Sequence, residues 1–218
     1  MKTVSIPATG SEYIIGKILC IGRNYVGHIK ELGNETPSAP VVFMKPSTSV
    51  IRNGENIVIP PYSKECHYEA ELAVLIGEDC KNIPECDALK HVAGYGVAID
   101  MTLRDVQDEL KKKGLPWEIA KGFDSSCPLS DFAPASSVAD PQDLQIIFKL
   151  NSQERQNGST GLMINSVARI ISHLSTIFTL EEGDIILTGT PAGVGRIVSG
   201  DSLEAEVVGV AKLAVTVA

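Results

Sequence analysis

Two glutamates spaced two apart, Glu69 and Glu71, interrupt the otherwise apolar run HYEAELAVLIG (residues 67–77). In an extended strand residues i and i+2 point to one face, so both carboxylates project side by side into whatever covers that face. Neighbouring acids repel, and a buried carboxylate must take up a proton or meet a cation. A divalent cation answers both problems. The alternative is an edge strand whose glutamates face solvent, because alternating polar and apolar residues suit a half-exposed strand.

A third acid, Asp100, closes the apolar run GYGVAID, at a strand end where side chains from several strands can converge. Asp is also a favoured helix cap, and Thr102 with Asp105 forms a capping-box-like pair nearby, so a capping role stands beside the first reading. Together the three carboxylates form an oxygen-only set suited to Mg²⁺ or Mn²⁺, with positions left for water or substrate. His67 shares the strand parity of the glutamates and is either a hydrogen-bond partner behind them or a packed histidine.

Arg104, then Gln107 or Asp108, then Lys111 follow Asp100 at spacings that share one helical face. Such a stripe is usually a solvated surface; beginning at a metal ligand, it aims Arg104 and Gln107 at a bound anion. Lys121 lies in WEIAKGFDSSCPL, between apolar residues and a turn, where a cation would balance the carboxylate of an oxo acid. Near the N-terminus, GRNYVGHIKELG places His28 and Glu31 at i and i+3 of a short helix. An imidazole oriented by a carboxylate is a competent general base near neutral pH, although such a pair on a short helix is more often surface decoration. Gly27 and Gly33 bracket the pair and permit the motion of a lid.

The elements that must position these groups are mostly strands. Val- and Ile-rich runs predict strands at 17–21, 41–44, 56–59, 69–76, 94–99, 144–150, 184–188, 202–208 and 212–217. Helices are predicted at 25–32, 103–113 and 166–175. The two types do not alternate strictly, which favours a mixed or mostly antiparallel β architecture over a doubly wound parallel sheet. The Gly-rich LTGTPAGVG (residues 187–195) is followed by a turn and a strand, not by the helix a phosphate cradle needs. Its glycines instead allow backbone amides to approach a small ligand.

The composition is ordinary for a globular chain, and 218 residues suit one large domain or two small ones with a sizeable core. The net charge of −8 argues against nucleic-acid and anionic-membrane partners. Five cysteines without a CxxC pair favour neither a disulfide framework nor a zinc knuckle and suit a reducing cytoplasm. No run reaches the ~18 to 20 apolar residues of a membrane helix.

The segments GRNYVGHIKELG, FMKPS, HYEAELAVLIG, AIDMTLRDVQ, WEIAKGFDSSCP and GDIILTGTPAGVG occur in an order that resembles the fumarylacetoacetate hydrolase superfamily, most closely its single-domain acylpyruvase and oxaloacetate decarboxylase branch. The resemblance runs from about residue 18 to the last residue. It implies a strand-rich α+β fold: one catalytic domain over 1–218, a mixed β-roll or β-sandwich with peripheral helices, a mobile lid at 25–33, and a homodimer. It also implies Mg²⁺ or Mn²⁺ on Glu69, Glu71 and Asp100, a lid dyad of His28 and Glu31, a substrate lysine at Lys121, and substrate contacts at Arg104, Gln107 and Thr190. Arg23 stands where the fumarylacetoacetases commonly have leucine and is a candidate carboxylate contact. The implied activity is metal-dependent C–C hydrolysis of acylpyruvate-type 2,4-dioxo acids, with a metal-bound pyruvate enolate as leaving fragment, alongside decarboxylation of oxaloacetate. Decarboxylation, isomerisation or hydration of other 2-oxo acids is the alternative within enzymes. A catalytically silent metal or dicarboxylate binder is the alternative outside them.

Overall fold

The strand Ala70–Ile76 is buried along its whole length, which is why AELAVLI reads as nearly continuous apolar sequence. It lies inside a six-stranded sheet ordered Ala133–Pro134, Val92–Ile99, Ala70–Ile76, Ile185–Leu187, Ile18–Gly22, Val41–Lys45. Neighbours are antiparallel except Ile185–Leu187 with Ile18–Gly22, which run parallel. The structure is a computed structural model that describes residues 1–33 and 35–218.

A second, five-stranded sheet is ordered Gln153–Ser159, Gln145–Leu150, Ser202–Val207, Ala211–Val217, Asn56–Ile57. Leu72, Val74 and Val97 from the first sheet share a core with Phe148, Leu203 and Val215 from the second. On the opposite face, Ala73 and Leu75 join Ile18, Ile185 and Leu187 in a separate core. That core is closed by Val4 and Ile6 of the N-terminal hairpin Thr3–Ile6 with Ser11–Ile14. Among the described residues, four α-helices sit around these layers: α1 (Val26–Glu31), α2 (Arg104–Lys113), α3 (Glu118–Lys121) and α4 (Val167–Ile177). The architecture is strand-rich α+β, as expected from the pattern of apolar runs.

Several expectations need correction. Glu69 does not lie within one strand from 69 to 76: Cys66–Tyr68 pairs with Thr102–Leu103 and Gly195–Arg196 in a small sheet of its own, and the chain changes sheets at Glu69. The edge-strand reading of the glutamates falls, since both are buried and the strand Ala70–Ile76 has a hydrogen-bonded neighbour on each side. Asp100 is not a cap, because α2 begins after Leu103 with no side-chain cap and Thr102–Leu103 pairs as strand. Asp105 spends its carboxylate on Ser63 and on the Lys64 amide.

Several elements escaped prediction, among them the N-terminal hairpin, the polar strand Gln153–Ser159 and α3. The polar strand QERQNGS and the second strand of the hairpin, Ser11–Ile14, largely face solvent, while Thr3–Ile6 buries Val4 and Ile6 but is only four residues long, so little apolar periodicity marks them. Only Gln156 and Gly158 of the polar strand are buried. Helix α3 is a single turn built from Trp117 onward, too short for periodicity to show.

Candidate active site

Glu69, Glu71 and Asp100 meet at one point, all buried, each offering an oxygen within 4.8 Å of the others. The backbone explains the meeting. Ala70, between the glutamates, gives its N–H to Gln156 Oε1 (3.0 Å) and its carbonyl to the Thr190 hydroxyl (2.8 Å). Gln156 in turn donates to Thr190 Oγ1 and to the Pro191 carbonyl, each at 2.8 Å. Asp100 is tied to the same spot by its own N–H on the Glu69 carbonyl (2.8 Å). Glu71 Oε2 accepts from the Gly189 amide at 2.6 Å. Gly189 has φ of 96°, and a Cβ there would stand 2.7 Å from Cβ of Asn24, so only glycine brings this amide so close.

Buried cations face the acids. Lys121 Nζ spends three donors on Glu69 Oε2 (2.8 Å), Asp100 Oδ2 (2.7 Å) and Thr102 Oγ1 (2.6 Å). Arg104 contacts Glu69 Oε1 with one terminal nitrogen and Gln107 Oε1 (2.8 Å) with the other, while its Nε is buried without a partner. Lys45, which the sequence reading did not single out, lies 2.9 Å from Asp100 Oδ1 and donates to the carbonyl of Ser126 (2.9 Å) and to that of Lys121. The signal for Lys45 was present: in VVFMK it shares strand parity with the buried Phe43, so it points inward. Asn24 was also missed; it donates to the carbonyls of Thr188 (2.8 Å) and Asn165 (3.0 Å), pinning the turn in which Arg23 adopts φ of 59°.

Charge is unevenly shared among the acids. Burial works to raise the Glu69 carboxyl, but Lys121 and Arg104 outweigh it and hold the group well below the usual carboxylate range. Glu71 goes the other way: burial, then the charges of Asp100 and Glu69, push it well above that range despite the Gly189 amide. Burial and its acidic neighbours therefore favour the protonated form of Glu71 in the metal-free site. A cation among these oxygens would replace that proton and relieve the repulsion, so the donor set fits a hard divalent ion such as Mg²⁺ or Mn²⁺.

The sign of a pH effect follows. A bound cation needs Glu71 ionised, so Mg²⁺ affinity is expected to rise with pH until Glu71 is deprotonated in the metal-free protein, and each binding event should release up to one proton. Calorimetric titration in buffers of different ionisation enthalpy measures the release directly. A pH-independent affinity from the ordinary carboxylate range to pH 8 would contradict this charge assignment.

His28 and Glu31 lie on α1 beside this cluster. His28 is buried, with Nδ1 3.5 Å from Glu31 Oε2, longer than a formed hydrogen bond. Glu31 instead accepts from the Gly193 amide at 3.1 and 3.2 Å. Gly193 has φ of 103°, and a Cβ there would meet the Arg155 carbonyl at 2.1 Å. Burial lowers the His28 imidazole below the usual histidine range, and Arg104 and Lys121 add to this against the pull of Glu69 and Glu31. His67 lies apart from the glutamates' hydrogen bonds and sits 3.4 Å from Glu65.

Between α1, α2 and the acids runs an open pocket of about 410 Å³, its mouth included. All ten residues singled out by the sequence and the resemblance reach it except Glu31, which stands behind His28. The Thr190 hydroxyl is already spent on Ala70 and Gln156, so it shapes the strand that carries the glutamates.

Comparison with known proteins places this arrangement. Residues 17–218 match the family described as fumarylacetoacetate (FAA) hydrolase C-terminal. The chain is 50% identical over 193 residues to bovine oxaloacetate tautomerase FAHD1, mitochondrial (88% of this chain, 87% of that protein). It is 47% identical over 193 residues to the oxaloacetate tautomerase YcgM of Escherichia coli (strain K12), covering 88% of each. Its fold superposes with a TM-score of 0.95 on fumarylpyruvate hydrolase from Pseudomonas aeruginosa in complex with Mn²⁺ and pyruvate, at 35% identity, covering 99% of this chain and 95% of that one. Together these matches show that the chain belongs to the fumarylacetoacetate hydrolase family.

Proposed function

We propose that this protein is a divalent-metal-dependent enzyme acting at carbon 3 of 2-oxo dicarboxylic acids, with enol–keto interconversion of oxaloacetate as its first activity. The observation that carries this reading is the charge of the buried site. Three acids face three buried cations, Lys45, Arg104 and Lys121. A divalent ion then leaves two positive charges uncompensated in a desolvated cleft, which a dianion neutralises. The names of the bovine and bacterial relatives point to the same substrate.

Glu69, Glu71 and Asp100 would hold the metal, which when bound supplies Lewis acidity toward the substrate's carboxylate and 2-oxo oxygens. Lys121 holds Glu69 and Asp100, and Lys45 holds Asp100, aimed at one point. Arg104 turns its unspent Nε–H toward the substrate carboxylate, and Gln107, its amide oxygen held by Arg104, is left with its amide nitrogen to donate. His28, neutral because it is buried, removes the proton from carbon 3 and returns it. Residues 25–33 close over the bound acid, latched by Glu31 on Gly193.

C–C hydrolysis of acylpyruvates is the second reading, supported by the His28 and Glu31 pair and by the likeness to a fumarylpyruvate hydrolase. There His28 takes a proton from water, the water attacks the distal carbonyl, and pyruvate leaves as its enolate. Loss of CO₂ from oxaloacetate yields the same enolate without water, so one pocket serves both reactions.

The test is a panel of oxaloacetate, fumarylpyruvate and acetylpyruvate, with the enol followed by its ultraviolet absorbance and pyruvate by a coupled assay. Protein dialysed against a chelator is expected to lose activity and regain it with Mg²⁺ or Mn²⁺. Full activity in the stripped protein would remove the metal from the reading.

A further inference from the structure

We propose that Lys111 binds the distal carboxylate of the substrate and so sets a preference for dicarboxylic over monocarboxylic 2-oxo acids. The inference rests on the 2-oxo acid reading above and narrows it to a residue outside the acid cluster.

Its first support is position. Arg104, Gln107 and Lys111 share one face of α2, and all three line the pocket. At 1.5 Å per residue the backbone of Lys111 lies about 10 Å along the helix from that of Arg104. Arg104 is therefore the anchor beside the acids and Lys111 the cation at the rim. A ligand that touches both cations gains from a second anionic end.

The second support is how the side chain is held. Lys112 and Lys113, its chain neighbours, are 72% and 64% exposed and pair with Glu109, as solvated lysines do. The Lys111 side chain is only 24% exposed. Its ammonium lies 5.6 Å from the Trp117 ring centre, and Trp117 packs against Phe43 at 5.8 Å. Phe43 carries the Lys121 ammonium at 4.9 Å. One aromatic wall thus presents a cation at depth and another at the mouth.

Third, Lys111 is under-compensated where it stands. Its contact with Asp108 is 3.7 Å long, and Asp108 is half exposed, the kind of pair that contributes little. Burial, then the charge of Arg104, with Arg23 and Lys121 behind it, hold the ammonium below the usual lysine range although Asp108 opposes them. Of the cations that line the cleft, Arg104 and Lys121 are already paired with Glu69 and Asp100, whereas Lys111 at the mouth has only the long contact to Asp108. A carboxylate placed beside Lys111 offsets the repulsion it feels from Arg104.

Lys111→Met and Lys111→Arg test the assignment in the Mg²⁺-loaded full chain. KM is read for oxaloacetate and for acetylpyruvate, and calorimetric Kd for the non-reacting pair 2-oxoglutarate and 2-oxobutanoate. Lys111→Met is expected to shrink the preference for the dicarboxylic member of each pair by about tenfold, the effect of losing one charge-assisted hydrogen bond. Lys111→Arg should restore most of it. A preference that survives Lys111→Met, or equal weakening toward both members, overturns the assignment while leaving the 2-oxo acid reading intact. A wild-type protein that neither binds nor turns over any of the four acids overturns both.

Discussion

Glu71→Ala is expected to lower turnover of oxaloacetate and of fumarylpyruvate together, by about a thousandfold or more. Lewis-acid assistance is worth several kcal/mol of transition-state stabilisation, and each ~1.4 kcal/mol is a factor of ten in rate. Glu71 is the ligand whose loss is hardest to cover. Glu69 and Asp100 are already engaged by Arg104, Lys45 and Lys121, so removing the third carboxylate leaves a site with more buried positive than negative charge, and a cation is repelled from it. The fold should survive, because in the metal-free protein Glu71 already tends to hold a proton and the strand around it is fixed by Gln156 and Thr190. Melting of the metal-free variant near that of wild type, with no added stability on titrating Mn²⁺, is the expected pattern. Metal-stimulated turnover at wild-type rates in Glu71→Ala would refute the assignment of the triad.

His28→Ala separates the reactions instead of abolishing them. Loss of a positioned base costs about a hundredfold to ten-thousandfold. That loss should fall on hydrolysis of fumarylpyruvate, which needs water deprotonated, and on interconversion of the oxaloacetate tautomers, which needs a proton moved at carbon 3. Decarboxylation of oxaloacetate requires neither step before CO₂ leaves and should fall far less. The pH profile adds a second check. His28 must be neutral to act, and burial lowers its pKa, so activity should rise with pH through a midpoint below the usual histidine value and stay level above it. Equal losses in the hydrolysis and decarboxylation assays would remove His28 from the chemistry.

How much of this could be read without coordinates differs from residue to residue. The strand that carries Glu71 was visible because burial on both faces demands an unbroken apolar run, and the i, i+2 spacing brought the two carboxylates to one side. The face of α2 was visible because helical period alone aligns Arg104, Gln107 and Lys111. Lys45 was hidden in plain view. A lysine at a strand end is usually exposed, and nothing local says that Asp100, fifty-five positions on, will come within 2.9 Å of it. The same limit explains the mistaken cap at Asp100: local chemistry favoured the helix end, and a long-range pairing of Thr102–Leu103 with Cys66–His67 moved that end downstream. The polar strand QERQNGS was missed although its Gln156 fixes the backbone between the two glutamates.

By itself, then, the sequence determined the kinds of atoms available and which of them share a face, since those depend on backbone periods of two and 3.6. It also marked the family through the order of its motifs. Only the tertiary structure decided that the chain changes sheets at Glu69, that Lys121 and Lys45 close on the same acids, and that Glu31 reaches Gly193 rather than hydrogen-bonding His28. Each of these depends on contacts between residues far apart in the chain, in a buried site where charges must find partners, and no local pattern encodes which partner that will be.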